Sequence, residues 1–205
     1  MSSTSTALLS ARGMRSPFGG PFDFDLRAGE CVAIQGPSGA GKSVLLRMLA
    51  DLDPHEGEAL LEGRSSRTMP APAWRSQVVY QAAEPAWWEA TAAEHFSGKQ
   101  RGFVDETLRA LGLSAALLDT DIERLSTGER QRLALVRSLA AAPRVLLLDE
   151  PTAALDPDSV ERAEALLASR LADGMAILIV THSAEQARRM AQRVFHLSQG
   201  RLTTA

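Results

Sequence analysis

The chain has 205 residues, of which 45% are hydrophobic and 23% charged, with a formal net charge of −3. That is enough apolar material for one full core and too mixed for a disordered polymer, and the acidic balance gives no basic footprint for nucleic acid. No apolar run reaches the roughly 18 residues of a membrane span, and the single cysteine excludes an intrachain disulfide.

In chain order, Ser2 to Thr6 reads as a frayed end, followed by β segments up to Ile34. Phe22 and Phe24 alternate with Asp23 and Asp25 as in a half-buried strand, so both phenylalanines are expected in the core. Cys31, in the apolar run Cys31 to Ile34, is expected as buried packing. Gly36-Pro37-Ser38-Gly39-Ala40-Gly41-Lys42-Ser43 then opens onto a helical pattern from Val44 to Leu49. Strand, glycine-rich loop and helix in that order form a phosphate-binding P-loop. The glycines let successive N–H groups converge on phosphate oxygens, Lys42 adds a point charge, the helix start adds its dipole, and Ser43 offers a hydroxyl to Mg²⁺.

Glu58 to Glu62 and Val78 to Tyr80 read as strands. From Gln81 to about Arg124 the pattern turns helical, with Ala90 to Phe96 and Phe103 to Leu111 as candidate helices, broken by Gly112 and Ser114. Ser126 and Glu129 have the spacing of a capping box, and a capped helix start is an anion site. Arg124, Arg130, Arg132, Arg137 and Arg144 alternate with apolar positions and are expected on a solvated face. Val145 to Leu148 reads as a central strand buried on both faces, delivering Asp149 and Glu150 at its carboxyl end, where ligands sit in open α/β sheets. Asp156-Pro157 starts a helix that Asp173-Gly174 ends, and Met175 to Val180 and Val194 to Leu197 are the last strands. His182 follows the first of these; His55, His95 and His196 have no comparable setting.

The P-loop, Gln81 after Val78-Val79-Tyr80, Leu125-Ser126-Thr127-Gly128-Glu129, the strand ending Asp149-Glu150, Ala154-Leu155-Asp156 and His182 stand in the order in which the ABC ATPase family carries them. The chain resembles that family from about Leu26 to Leu202. The resemblance implies an α/β fold: a P-loop NTPase core with a mainly parallel sheet, an N-terminal antiparallel β part and a small inserted helical subdomain. The core is expected from 1–80 and 125–205 and the helical subdomain from 81–124, as one ABC ATPase domain.

It further implies an ATP-hydrolysing subunit that powers a membrane transporter by ATP-dependent homodimerisation, attached to the cytoplasmic face through an integral membrane permease. Within the family the chain is most similar to small iron-export subunits. ATP is expected to meet Gly36 to Ser43. Mg²⁺ is expected at Ser43, Asp149 and Gln81, with Glu150 as general base and Gln81 and His182 at the attacking water and γ-phosphate. Ser126 and Gly128, with Glu129 behind them, are expected to face the γ-phosphate bound by the opposite subunit.

The chain departs from the family pattern at Thr127 and Glu129, and at Val44, where a hydroxyl commonly contacts the α-phosphate. The residue expected to stack on adenine is Phe18, since no tyrosine precedes the P-loop. Trp87 and Trp88 cannot both face one side of a regular element, which leaves two expectations open: at least one is free as an anchor for the membrane subunit, or both pack the hinge between the subdomains. The other classes open to such a chain are an ABC-type ATPase uncoupled from transport, a P-loop phosphotransferase, which needs an acceptor lid and no 125–129 signature, and a non-catalytic binding module.

Overall fold

Strand alternation builds the first sheet. In the computed structural model, which describes residues 7–204, β1 (Ala7–Ser16) and β2 (Gly19–Arg27) pair antiparallel, with Phe22, Phe24 and Leu26 buried. The expectation for Ser2 to Thr6 lies outside the described residues. β3 (Cys31–Gln35) leaves this layer for a second sheet, while β4 (Glu56–Leu61) and β5 (Arg64–Ser65) extend the first, giving the order β2-β1-β4-β5.

The second sheet has the order β10-β9-β3-β8-β7-β6, with β6 (Val78–Gln81), β7 (Val145–Asp149), β8 (Ala176–Val180), β9 (Arg193–Ser198) and β10 (Arg201–Thr204). Its strands are parallel except for the β9–β10 hairpin. Every residue of β7 and β8 is buried, because helices cover both faces. Ile34, Leu147 and Leu178 pack on one face with α1 (Lys42–Leu49) and the antiparallel layer. Ala33, Leu146, Leu148 and Ile177 pack on the other, with α3 (Arg101–Ala110), α4 (Thr127–Ala140) and α5 (Pro157–Ala172). α5 begins at an Asp156 cap with Pro157 in its first turn and ends at Asp173, as its sequence predicts.

Three elements differ from expectation. α2 (Ala71–Gln77) was not anticipated; it is too short for helical periodicity to show, and Trp74 anchors it, fully buried with its indole N–H donating to the Leu49 carbonyl at 2.9 Å. β10 was not anticipated either. Ala90 to Phe96 is not a continuous helix but two bends around an isolated bridge at Thr91, followed by a single 3₁₀ turn at Ala93–His95. Its backbone is committed elsewhere: the Ala90 carbonyl accepts from the Ile122 amide at 2.9 Å, Thr91 bridges Asp121, and Glu94 caps the Thr91 amide at 2.8 Å. Between β6 and α4 the regular helix is therefore α3 alone, joined by 3₁₀ turns.

Candidate active site

The carboxyl ends of β3, β7 and β8 converge on one cleft of about 390 Å³, lined by Phe18, Ser38 to Val44, Ala83, Asp149, Glu150, Val180 and His182. Its floor is the loop between β3 and α1. Gly36 has φ +151°, and a Cβ there would lie 2.1 Å from the Leu197 carbonyl oxygen, so no other residue fits. Gly41, at φ +95°, caps α1 without a side-chain hydrogen bond, and the first turn carries no acid. The amides at this helix start are thus left for an anion. Lys42 is buried, with its ammonium donating to the carbonyls of Gly36 at 2.8 Å and Pro37 at 2.9 Å.

The opposite wall is acidic. β7 delivers Asp149, buried, whose Oδ2 accepts from the Tyr80 hydroxyl at 3.1 Å. Glu150 follows with φ +47°, a left-handed conformation that costs a non-glycine residue about 1–2 kcal/mol. It is held there by its amide, which donates to the Val180 carbonyl at 3.0 Å. Its carboxylate lies 3.3 Å from His182 Nε2 and 3.4 Å from the His182 amide. Burial raises the Glu150 pKa above the usual carboxylate value, opposed by the His182 amide and ring. A half-buried carboxylate with raised basicity beside a histidine and a lysine suits a general base.

Phe18 stands at the mouth, 69% exposed, free to cover a ring lying over the loop. Val44 lines the cleft while packing against the first core, so it offers that corner a methyl group and no hydrogen bond.

Gln81 is not brought to the cleft. It pairs with Leu148 in the β6–β7 ladder, and alternation turns its side chain to the face of Val79 and Leu148, away from Tyr80 and Asp149. It is 3% exposed, and neither amide atom has a hydrogen-bond partner. Ala83, two residues on, lines the cleft instead. Tyr80 and Ala83 were not anticipated; the alternation of β6 points to Tyr80 only once its register with β7 is known.

Ser126, Gly128 and Glu129 do not line this cleft. They form the start of α4, where the capping box is complete: Ser126 Oγ accepts from the Glu129 amide at 3.2 Å, and Glu129 Oε2 accepts from the Ser126 amide and hydroxyl at 2.9 and 2.7 Å. These bonds hold the Glu129 pKa below its usual value, with a smaller contribution from Arg132. A Cβ at Gly128 would lie 3.3 Å from the Ala154 carbonyl, so a larger residue there requires the turn after β7 to give by a few tenths of an ångström.

The two adjacent tryptophans divide as their spacing requires. Trp87 packs against the second core, whereas Trp88 is 69% exposed. The Arg137 guanidinium of α4 lies 4.3 Å from one ring and 4.8 Å from the other, and donates to the Ala86 carbonyl at 2.9 Å.

Comparison with known proteins agrees with this geometry. Residues 20–153 match the ABC transporter family model. The chain is 38% identical to Protein STAR1 of Oryza sativa subsp. japonica over 87% of its own length and 54% of that protein's. It is 36% identical to the aliphatic sulfonates import ATP-binding protein SsuB 2 of Paracoccus denitrificans, covering 95% of the chain and 79% of the relative. With the probable iron export ATP-binding protein FetA of Escherichia coli it shares 37% identity over 80% and 77%. Among solved structures, an ATP-binding subunit of an ABC transporter superposes with TM-score 0.88 at 24% identity, over 97% of this chain and 89% of that one. A dimeric ATP-binding cassette in a post-hydrolysis state with ADP and phosphate superposes with TM-score 0.83 at 25% identity, over 96% and 98%. A strained acid beside a histidine, facing a P-loop across one cleft, therefore sits in a known frame: the chain is an ATP-binding cassette of the ABC transporter family.

Proposed function

We propose that the chain hydrolyses ATP in this cleft as the motor subunit of a membrane transporter, and that each complete site forms between two copies. The observation that carries the reading is a division of labour within one chain. Ser38 to Ser43, Asp149, Glu150 and His182 converge, while Ser126 and Gly128 form a separate helix start that does not line the cleft. A second copy placed head to tail brings its α4 start over the γ-phosphate and closes the site.

Lys42 and the amides at the start of α1 bind and orient the phosphates, and Phe18 covers the adenine. Ser43 and Asp149 fit Mg²⁺. Among the described residues no three His, Cys, Asp or Glu side chains cluster as an all-protein metal site, and one carboxylate with one hydroxyl is the sparse set that Mg²⁺ uses beside phosphate oxygens. Bound there, Mg²⁺ neutralises charge developing on the phosphate oxygens. Glu150 takes the proton of the attacking water while the γ-phosphorus–oxygen bond to ADP breaks, and His182 holds Glu150 and the phosphate in line.

Among the described residues no helix is long and apolar enough to cross a membrane. Attachment is accordingly assigned to a permease partner at the cytoplasmic face, with Trp88 as an exposed aromatic anchor. The relatives' names include sulfonate import and iron export. Iron export is the narrower form of the proposal, and its cargo is chosen by the membrane subunit. An ATPase assay tests the reaction: phosphate release from Mg-ATP without an acceptor supports it, and release only with a phosphoryl acceptor makes the chain a phosphotransferase.

A further inference from the structure

We infer that Tyr80 is a positioning residue for Asp149, its hydroxyl fixing the carboxylate so that the second oxygen stays free for a divalent cation. The inference rests on the proposed reading of the cleft as a Mg-ATP site.

The geometry follows from the register of two parallel strands. Tyr80 pairs with Leu147, two residues before Asp149, so alternation puts the phenol and the carboxylate on the same face of the sheet. The ring packs against the first core and its hydroxyl reaches up β7 to Asp149 Oδ2 at 3.1 Å. A carboxylate has about four acceptor sites. Tyr80 takes one on Oδ2, and Oδ1 receives no protein hydrogen bond among the described residues.

The donor is dependable. A phenol has an ordinary pKa of about 10, so the Tyr80 hydroxyl carries its proton at neutral pH and can donate. Arg47 of α1 lies beside it, itself held by Asp53 at 2.9 Å.

The rest of this corner offers no substitute. The Gln81 amide faces the opposite core, and Ala83 presents only a methyl group to the cleft. Tyr80 is therefore the polar side chain that β6 contributes to the acid. Partners that orient a metal ligand commonly contribute 10- to 100-fold to metal affinity or activity.

The test is Y80F, which keeps the ring and removes the donor. Binding of a fluorescent ATP analogue is measured in EDTA and during a Mg²⁺ titration, with Mn²⁺ affinity read separately by paramagnetic resonance. The expected result is unchanged metal-free nucleotide affinity and a cation requirement raised about 10-fold. In the D149N background Y80F is expected to add nothing. An unchanged cation requirement in Y80F, or equal weakening with and without Mg²⁺, would overturn the inference and make the hydroxyl a packing detail.

Tyr80 is the only tyrosine in the chain, which supplies a readout that needs no substitution at Tyr80. With ¹³Cζ-labelled tyrosine the wild-type protein gives one phenol signal, expected to shift when Mg²⁺ joins bound ATP, and a signal indifferent to Mg²⁺ contradicts the proposal. If wild-type ATP binding shows no Mg²⁺ dependence at all, the reading of the cleft falls together with the inference.

Discussion

The Glu129 carboxylate holds Ser126 by both its amide, at 2.9 Å, and its hydroxyl, at 2.7 Å. A serine hydroxyl has one proton to donate, so to reach a phosphate on a neighbouring copy it must leave Glu129. E129Q keeps an acceptor for the cap and removes a negative charge facing that phosphate. It is expected to tighten the Mg-ATP-dependent dimer several-fold, read as the dissociation constant in sedimentation equilibrium. An unchanged or weaker dimer contradicts this account of Glu129.

The same cap predicts a pH dependence of stability. Because the folded-state pKa of Glu129 is lowered below its ordinary 4.5, its ionised form stabilises α4 fully above that value, and the gain is lost as pH falls through the folded pKa. The stability difference between wild type and E129Q in urea unfolding should be present at pH 7 and vanish well below pH 4.5. A difference that persists in acid excludes the charge as its source.

Lys42 and Glu150 should fail in different ways. K42A removes the buried ammonium spanning the P-loop and is expected to weaken ATP binding, whereas E150Q keeps binding and loses about 10²–10⁴-fold in hydrolysis. Equilibrium binding and phosphate release, measured on both variants, separate the two roles. Hydrolysis by E150Q at the wild-type rate removes Glu150 as the base.

Trp88 and Trp87 are expected to part ways as well. W88A removes a ring that is 69% exposed and should leave the melting temperature of the isolated subunit within about 1–2 °C, while transport coupling by the assembled complex falls. W87A removes packing against the second core and should lower the melting temperature. Intact coupling in W88A with a lowered melting temperature would make Trp88 a packing residue.

The parts of the site that were legible in sequence are those encoded locally. The P-loop glycines, Lys42-Ser43, the Asp149-Glu150 pair at the end of an apolar run and the Ser126–Glu129 box each declare themselves within a few residues. What depends on register was not legible. Tyr80 meets Asp149 only because β6 and β7, more than 60 residues apart in the chain, align Tyr80 with Leu147. The same alternation turns Gln81 away and leaves the cleft to Ala83. Ala90 to Phe96 has helical spacing, yet the Ala90 carbonyl is taken by the Ile122 amide and Thr91 forms a bridge with Asp121, a competition invisible in the local pattern.

Completion of each ATP site by the α4 start of a second copy can be read from the mass of the hydrolysis-deficient E150Q protein in analytical ultracentrifugation. The expected result is monomers without nucleotide, dimers with Mg-ATP, and monomers again when S126R is added to E150Q in Mg-ATP. The same mass under all three conditions would contradict it.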